Sequence, residues 1–491
     1  MRTSMDSPEP DFPESALGPG VPPAFTAPRR RRLSPKLRRA VISSVAGCVL
    51  LGGVLVLRPD DDGPAAPPAL PGPAGRAGIA AAAGAPASLP DLTALIGERE
   101  AELRKNPGSD RTWAALGAAY VERGTRTADS AYYPRAEQAL RSSLRARPHG
   151  NVAALDGLAA LAAARGDWHG ARKWGEVAVK LAPDRWPAYA ALVDAYQGVG
   201  DYKAAGRTLD KLSTLATGTA VTLRTAAVYR DRGRREDAAA VLSDAAARAG
   251  TPTERAALLH RSGELAWERG DAADALRHFD AALAADPQYP AALAGQARAF
   301  ASLGRTSEAV RAYERALAKR PAPEYALELG ELYESLPLNA AARAQYGVLR
   351  AQAAAQGAHG VDDALVLGRY EADHGDPAAA VARLRAEWRR APGVQAADAL
   401  GWALHRAGDD AEAIGLLRRA TDRAKGGSLR SALIMYHRGE VERALGLTGA
   451  ARRHLGEALR INPTFSPLFA PRARRELAAL GEPVPGGPAQ M

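Results

Sequence analysis

The sequence predicts an all-α protein: a long array of helical hairpins that follows one short apolar segment near the N-terminus. Three observations support this prediction. Ala and Leu supply most of the apolar residues while aromatic residues reach only 5%, a composition that favours helices packed through small side chains. Gly-Asp pairs and prolines recur in a pattern of about 34 residues. Residues 40–57 form an uncharged run between a basic and an acidic flank.

The uncharged run has the length of a membrane span. At about 1.5 Å per residue, a helix over residues 40–57 reaches roughly 27 Å, enough for the hydrocarbon core. A cluster of Lys and Arg between residues 29 and 39 precedes it, whereas Arg58 and an acidic run, Asp60 to Asp62, follow it. Because Lys and Arg beside a short span stay in the cytoplasm, we predict a single-pass protein of the cell membrane. Its N-terminus is cytoplasmic and its repeat domain is extracytoplasmic.

Cys48 offers a second interpretation of the same run. The residues Val45-Ala46-Gly47-Cys48 resemble a lipobox, the site where bacterial lipoproteins are cleaved and acylated on Cys. Against this, the apolar run before Cys48 is short for a signal peptide, and it continues beyond the cysteine. Cys48 is also the chain's one cysteine, which excludes disulfides and Cys-rich zinc sites within the chain. Both interpretations place the repeats outside the cytoplasmic membrane.

The segments around the run differ in composition. We predict a disordered basic cytoplasmic tail over residues 1–39 and a Pro/Ala/Gly linker over 58–90. The helical array follows over 91–481, with a short capping helix at Arg472–Leu480, and residues 482–491 form a disordered tail. About half of the net charge of +10 falls in residues 1–58. The rest of the chain lacks the dense basic face of a nucleic-acid reader, so no nucleic-acid partner is expected.

The repeats carry their own turn chemistry. Gly terminates the first helix of a hairpin, the following Asp caps the second helix, and Pro closes that helix. The first unit reads Trp113-x-x-Leu116-Gly117-x-x-Tyr120, and later units add the turns Gly166-Asp167, Gly200-Asp201, Gly270-Asp271, Gly375-Asp376 and Gly408-Asp409. This pattern resembles the tetratricopeptide repeat (TPR). The resemblance implies a superhelical solenoid of about ten hairpins between residues 110 and 466, each contacting only its neighbours, with first helices lining a concave face.

The sequence shows no catalytic signature. Phosphate-binding loops, zinc-binding helices, nucleophile elbows and dinucleotide-binding glycine patterns are all missing from the printed chain. We therefore predict a protein that is not an enzyme and that uses no cofactor, metal or small-molecule substrate. Carboxylates such as Glu328 and Glu331 are interpreted as parts of solvated helix faces.

A binding surface is the remaining prediction. Repeat positions spaced i, i+4, i+7 share one helix face. The resemblance implies that this face lines the groove on the concave side of the solenoid. Trp267 and Trp402 are expected to be exposed there, as aromatic residues are at interfaces. The candidate partner-binding residues are Asp194, Arg230, His260, Glu264, Trp267, Arg298, Glu331, Arg369, Trp402, His405 and Tyr436.

These features predict a membrane-anchored scaffold that docks protein or peptide partners along the concave face. Two alternatives remain. One is a helical-hairpin enzyme that acts on cell-wall polymer through two groove carboxylates, Glu331 among them. The other is a lipoprotein-type spacer without a specific partner. The high content of Ala, Arg, Gly and Pro is typical of proteins from GC-rich bacterial genomes.

Overall fold

The structure, a computed structural model, describes residues 71–422 and 430–481. Within these residues the chain forms 23 α-helices and no β-strand. Helices α1 (Pro73–Ala83) and α2 (Leu89–Lys105) come first and α23 (Phe469–Ala479) comes last. Between them stand ten hairpins, each made of a first helix, a turn and a second helix, with a loop leading to the next hairpin.

Hairpins 1 to 5 are α3 (Asp110–Thr127) with α4 (Tyr132–Ala146), α5 (Val152–Ala164) with α6 (Trp168–Leu181), α7 (Trp186–Gly198) with α8 (Tyr202–Leu215), α9 (Thr219–Asp231) with α10 (Arg235–Arg248), and α11 (Pro252–Glu268) with α12 (Ala272–Ala285). Hairpins 6 to 10 are α13 (Pro290–Ser302) with α14 (Thr306–Lys319), α15 (Pro323–Ser335) with α16 (Asn339–Gly357), α17 (Ala364–His374) with α18 (Pro377–Arg390), α19 (Val394–Arg406) with α20 (Asp410–Thr421), and α21 (Ala432–Ala444) with α22 (Thr448–Ile461). The solenoid is thus all-helical.

The turns are built by the predicted Gly-Asp chemistry. Gly200 has a positive φ of 76°, and the side chain of Asp201 accepts a hydrogen bond from the backbone N–H of Ala204 at 2.9 Å. Such a cap satisfies a donor that the helix itself leaves unpaired. Gly375 departs from the pattern, because its φ is −133°. Its partner Asp376 still caps α18 through the N–H of Ala378.

Small residues set how closely the helices approach. The ring of Phe279 lies between Gly263 of α11 and Gly295 of α13, where a Cβ atom would stand 2.6 Å and 2.3 Å from a ring carbon. Ala309 and Ala316 are completely buried on α14. The high Ala and Gly content therefore serves packing, because larger side chains here would force the helices apart.

The first helices line the inner side of the array. Successive first helices contact one another, as α3 does α5 and α17 does α19. Among the described residues, successive second helices make no comparable contact. The hairpins therefore splay on the side of the second helices, which makes the side of the first helices concave.

The predicted linker is wrong in its second half. Residues 73–83 form α1, which packs on α2 and is tied to it by an ion pair between Arg76 and Asp91 at 2.5 Å. The physical reason is composition: the alanine-rich run has high helix propensity, and Gly84 ends the helix in the left-handed conformation. We call residues 71–88 the N-terminal strap.

The N-terminal strap lies on first helices of the array. The N–H of Ala87 donates to Glu122 of α3 at 2.9 Å. Gly84 lies against Trp186 of α7 and Ala220 of α9, so closely that a Cβ would stand 2.6 Å and 2.8 Å from their side chains. The strap therefore covers part of the concave face in hairpins 1, 3 and 4.

The prediction that each hairpin contacts only its neighbours is also wrong. The N–H of Asp362 donates to the carbonyl oxygen of Arg165 at 2.9 Å, and the N–H of Val394 donates to the hydroxyl of Tyr202 at 3.0 Å. Asn462 donates through Nδ2 to the carbonyl oxygen of Trp267 at 2.8 Å. In hairpins 2, 3 and 5, residues at the turn contact the loop that follows the hairpin five places further on, and in hairpin 4 Arg235 contacts Arg430 in the same register. We call this line of contacts the coil seam.

The coil seam has a geometric origin. A small rotation at each hairpin accumulates until the array has completed one full revolution, which we call a coil. The hairpins of the following coil pack directly on those of the first coil. Seam residues contact partners on the order of 190–200 positions away in the sequence, as Tyr202 and Val394 do at 3.0 Å. A pattern of about 34 residues contains no signal for such contacts.

Other predictions lie outside the described residues. The predicted membrane segment 40–57, the tail 1–39 and the tail 482–491 are among them. In the part of the chain that the structure describes, no helix has both the length and the apolar character needed to cross a bilayer. Membrane anchoring therefore stays a prediction.

Candidate partner-binding site

A cavity of about 450 Å³ opens on the concave face in front of hairpins 5 to 10. First helices of these hairpins form its floor, and residues 464–474 of the C-terminal segment form a wall. The volume lies within the range of roughly 300–1,000 Å³ that ligand pockets show. We call this space the groove cavity.

The groove cavity combines apolar walls with charged groups. Leu327, Leu332 and Val366 contribute aliphatic surface, and Phe465 and Phe469 contribute aromatic surface from the C-terminal segment. The charged residues that line it are Arg298, Glu324, Glu328, Glu331, Arg369, Asp373 and Arg474. Apolar surface with a few convergent polar groups is the usual composition of a binding pocket.

Arg298 is the centre of a buried charge network. Its Nη1 contacts Glu264 at 2.9 Å, its Nε contacts Glu328 at 3.2 Å, and the hydroxyl of Tyr313 donates to Glu328 at 2.9 Å. Burial alone would raise the pKa of Glu264, but the adjacent Arg298 guanidinium lowers it to about 2. For Glu328 burial dominates and raises the pKa. Its one contact with Arg298, at 3.2 Å, is longer than the contact of Glu264 with the same guanidinium.

A second network surrounds His374. Its Nδ1 lies 3.0 Å from Glu334 and its Nε2 lies 3.8 Å from Glu331, while the Tyr346 ring stacks on it at 4.5 Å. Burial raises the pKa of Glu331 above its ordinary value. Burial also opposes protonation of His374, but Glu331 and Glu334 outweigh it and raise the histidine pKa. The two carboxylates thus favour the imidazolium form.

Arg369 retains a free hydrogen-bond donor. Its Nη2 donates to the side-chain oxygen of Gln395 at 2.6 Å. Its Nε is buried and has no acceptor among the described residues. An unpaired buried donor costs free energy that an incoming acceptor would recover.

The structure brings five predicted residues together in the groove cavity: Trp267, Arg298, Glu331, Arg369 and Trp402. Glu264 lies beneath them through its contact with Arg298. The remaining predicted residues lie elsewhere. Asp194 pairs with Arg224 at 2.5 Å, and Arg230 lies 3.5 Å from Glu268.

The expectation that Trp402 is exposed is wrong, and Tyr436, another groove candidate, is buried as well. Trp402 is 2% exposed and Tyr436 is fully buried. The Trp402 ring stacks on His437 at 4.2 Å, and the Tyr436 ring stacks on Phe469 at 5.3 Å. The cause is the C-terminal segment, which folds back over α19 and α21 and leaves little of Trp402 at the cavity wall. Trp267 is half-buried, and its Nε1 donates to Ser302 at 3.1 Å.

His260 is an internal residue and His405 is half-buried. His260 is buried beside Tyr289 and Phe279, with ring centroids 5.6 Å and 5.9 Å away, and burial lowers its pKa to about 3. It is neutral at physiological pH and belongs to the core. His405 lies 2.5 Å from Asp410 in its own turn. In the described residues, no three His, Cys, Asp or Glu side chains converge to hold a metal ion.

Sequence reasoning missed several lining residues. Glu328 was assigned to a solvated face, but it is engaged by Arg298 and Tyr313 inside the array. Phe465 and Phe469 were overlooked because they follow the last repeat. Their spacing between prolines, in Pro463-Thr-Phe465-Ser-Pro-Leu-Phe469-Ala-Pro471, was the available signal that this segment packs against something.

Comparison with known proteins supports the repeat assignment. Tetratricopeptide repeat models match residues 266–332, and also residues 223–290 and 365–428. A tetratricopeptide repeat and J domain-containing co-chaperone, DNJ1 of Fusarium oxysporum, is 41% identical over 81 residues. That match spans 16% of this chain and 16% of the relative.

Solved structures with a similar arrangement are distant in sequence. A human IFIT1 dimer with PPP-AAAA is 18% identical, with a TM-score of 0.44 over 70% of this chain and 80% of that one. The Cut9–Hcn1 hetero-tetramer of the APC/C is 17% identical, with a TM-score of 0.30 over 80% and 93%. Yeast Tom70 is 12% identical, with a TM-score of 0.30 over 74% and 95%. Over the described residues the chain is an all-helical solenoid, and the matched segments within it are tetratricopeptide repeats.

Proposed function

We propose that the protein is a membrane-anchored scaffold that docks a short segment of a protein partner in the groove cavity. The observation that carries this proposal is the cavity itself, where apolar walls, a charge network and the free donor of Arg369 face one space. TPR-type solenoids are protein-interaction scaffolds, and the matched repeats include hairpins that build the cavity floor.

The occupant is short because the rest of the concave face is covered. The N-terminal strap lies on first helices of hairpins 1, 3 and 4. Phe465 and Phe469 cover the first helices of hairpins 9 and 10. A long extended partner would have to displace both segments, whereas a few residues fit between them.

The membrane anchor and the orientation belong to this proposal. They rest on the uncharged run 40–57 and on the excess of Lys and Arg before it. Protease added to intact spheroplasts is expected to digest the repeats. Complete protection until lysis would contradict the orientation, and a mature protein that begins at an acylated Cys48 would contradict the transmembrane anchor.

The enzyme alternative rests on the same carboxylates. Raised pKa values are typical of acid catalysts, and both Glu328 and Glu331 show them. Structural ion networks produce the same shifts, and each of these carboxylates contacts a cationic or hydrogen-bonding neighbour. The TPR relationship suggests a non-catalytic scaffold, so we rank docking first.

Site-specific photo-crosslinking in cells tests the docking site. A photoreactive residue at Ser335, which lines the groove cavity, is expected to capture a discrete partner in the full-length protein. The matched control is Arg277, whose side chain is 73% exposed on the second helix α12. Adding Arg369→Gln to the Ser335 variant should reduce capture. Equal capture from both positions, or capture that ignores Arg369→Gln, would contradict docking in the cavity.

A further inference from the structure

The coil seam shows what the turn edge of this array can bind. At Gly200, a Cβ would stand 2.8 Å from the carbonyl oxygen of Pro392, and at Gly270 it would stand 2.9 Å from Pro463 Cδ. Both glycines have positive φ, 76° and 83°. The turns of hairpins 3 and 5 therefore fit closely against loops of the following coil.

The turns of hairpins 6 to 10 present the same edge without a covering. Among the described residues, no atom of the neighbouring elements lies within 4 Å of a Cβ placed on Gly304, Gly408 or Gly446. Leu303 and Leu338 are 41% and 49% exposed on this edge. Leu445 and Leu447 are exposed there as well. Among the described residues eight large apolar side chains are exposed, and four of them lie on this edge.

The opposite edge is the complementary one. The loops after hairpins 8 and 10 are buried where the coil seam covers them, as Ala391 and Asn462 show. The loops after hairpins 1 to 4 are largely exposed, at 147–150, 182–185, 216–218 and 249–251. One side of the coil thus carries unpaired turns, and the other carries the loops that such turns bind.

We propose that two copies of this chain associate head to tail by extending the coil seam from one molecule to the next. The turns of hairpins 6 to 9 of one copy pack on the loops after hairpins 1 to 4 of the second copy. The argument is continuity with the existing contact, because the interface repeats an arrangement that the chain already forms with itself. This association is independent of what the groove cavity binds.

The register of the coil seam predicts the pairs. Because a turn meets the loop five hairpins further on, the turn of hairpin 7 should meet the loop after hairpin 2 of the next copy. That places Leu338 beside Asp184 and near Leu181, which is 52% exposed. It also places Asp409 opposite Arg248, an ion pair of favourable sign. Since the two surfaces differ, the interface is heterologous and can propagate.

Cysteine pairing tests this register in the full-length protein. In a Cys48→Ser background, one preparation carries Leu338→Cys and the other carries Asp184→Cys. Under mild oxidation the mixture is expected to give the 338–184 dimer in excess over either homodimer. A third preparation, Arg277→Cys, controls for random collision. Homodimers of Leu338→Cys in excess, or no pairing above the Arg277→Cys level, would overturn the proposal.

Sedimentation of the full-length protein gives an independent reading. Its average mass should rise with concentration, and Leu303→Glu with Leu338→Glu should weaken association by about tenfold or more. Val348→Glu, on the second helix α16 with similar exposure, is the matched control and should leave association unchanged. A protein that stays monomeric at its highest soluble concentration, or association that survives in the double variant, would overturn the head-to-tail contact.

Discussion

The two halves of the concave face are built from the same kind of helix but differ in what covers them. In hairpins 1, 3 and 4 the N-terminal strap supplies the covering, with Ala77 almost fully buried and the N–H of Ala87 satisfied by Glu122. In hairpins 5 to 10 a cavity remains, held open over the charge network of Arg298. The segments flanking the array, rather than the repeats, decide where a groove is available.

The two halves also differ in how they are stabilised. The N-terminal strap packs on the covered half largely through apolar contacts, such as those of Ala77, whose contribution follows buried area. The open half holds buried carboxylates that are stable only while their partners are present. Substitutions should therefore act locally and by different mechanisms in the two halves.

The largest effect is expected at Trp402. Replacing it with Ala removes a fully packed ring that contacts His437 and Phe469 and donates to Asp373 at 3.0 Å. The expected loss of unfolding free energy is about 3–5 kcal/mol. Denaturant unfolding measures it, and hydrogen exchange should place the damage in α19 to α23. Trp267→Ala is the control, with a smaller loss because that ring is half-buried; equal losses would contradict the burial difference.

Arg298→Met should have the next largest effect. It leaves Glu264 and Glu328 buried without their cation, at a cost of roughly 2–4 kcal/mol near neutral pH. In the wild type, Glu264 has a pKa of about 2, below its ordinary 4.5, so its stabilising contribution is present above pH 4.5 and is lost as the pH falls toward 2.

The variant should reverse this pH dependence. Without Arg298, burial raises the pKa of Glu264, so the variant should gain stability as the pH falls and the carboxylates become protonated. Unfolding measured between pH 7 and pH 3 gives the comparison. Parallel pH profiles for the two proteins would show that Arg298 does not set the protonation of Glu264.

Gly84→Ala tests whether the covering is local. The added methyl group would meet Trp186 and Ala220 at a positive φ of 67°, for a cost of about 1–3 kcal/mol. Exchange protection should fall in residues 73–88 and remain unchanged around the groove cavity. Gly78→Ala, where no atom of a neighbouring element lies within 4 Å of the added Cβ, should be neutral or slightly stabilising. Loss of protection in both halves would show that the strap stabilises the whole array.

The smallest effect is expected at Asp363, beside the coil seam that joins the two halves. Burial, with Glu324 and Asp362 nearby, raises its pKa to about 7, and its Oδ2 lacks a partner among the described residues. Its contribution is therefore favourable below pH 3.8 and is lost as the pH rises through 7. Asp363→Asn should gain about 1 kcal/mol at pH 8, allowing for partial solvent screening, and nothing at low pH.

The adjacent Asp362 supplies the control for this prediction. It is paired with Arg390, so Asp362→Asn should destabilise the protein slightly at pH 8 instead of stabilising it. Thermal unfolding at pH 4 and pH 8 separates the two variants. A gain from both, or a gain from Asp363→Asn that persists at pH 4, would contradict the raised pKa of Asp363.

The hairpins were predictable because their signals are local. Gly200-Asp201 encodes a turn and a cap within a few residues, and the closing prolines mark where second helices end. The candidate site was predictable only in part. The helix face of Trp267, Arg298 and Arg369 follows from spacing, but the burial of Trp402 depends on Phe469, which lies outside the repeats. The N-terminal strap was hidden by proline and glycine residues that suggested a linker.

The coil seam fixes the number of hairpins between a turn and the loop that it contacts. Repeat proteins usually gain or lose units by duplication and deletion, because an added unit disturbs only its neighbours. Here a hairpin inserted between Gly200 and Pro392 would change the spacing between a turn and its partner loop from five hairpins to six. The close glycine contacts would then face the wrong backbone. An added hairpin should therefore be tolerated at the ends of the array, but not between a turn and the loop that it contacts.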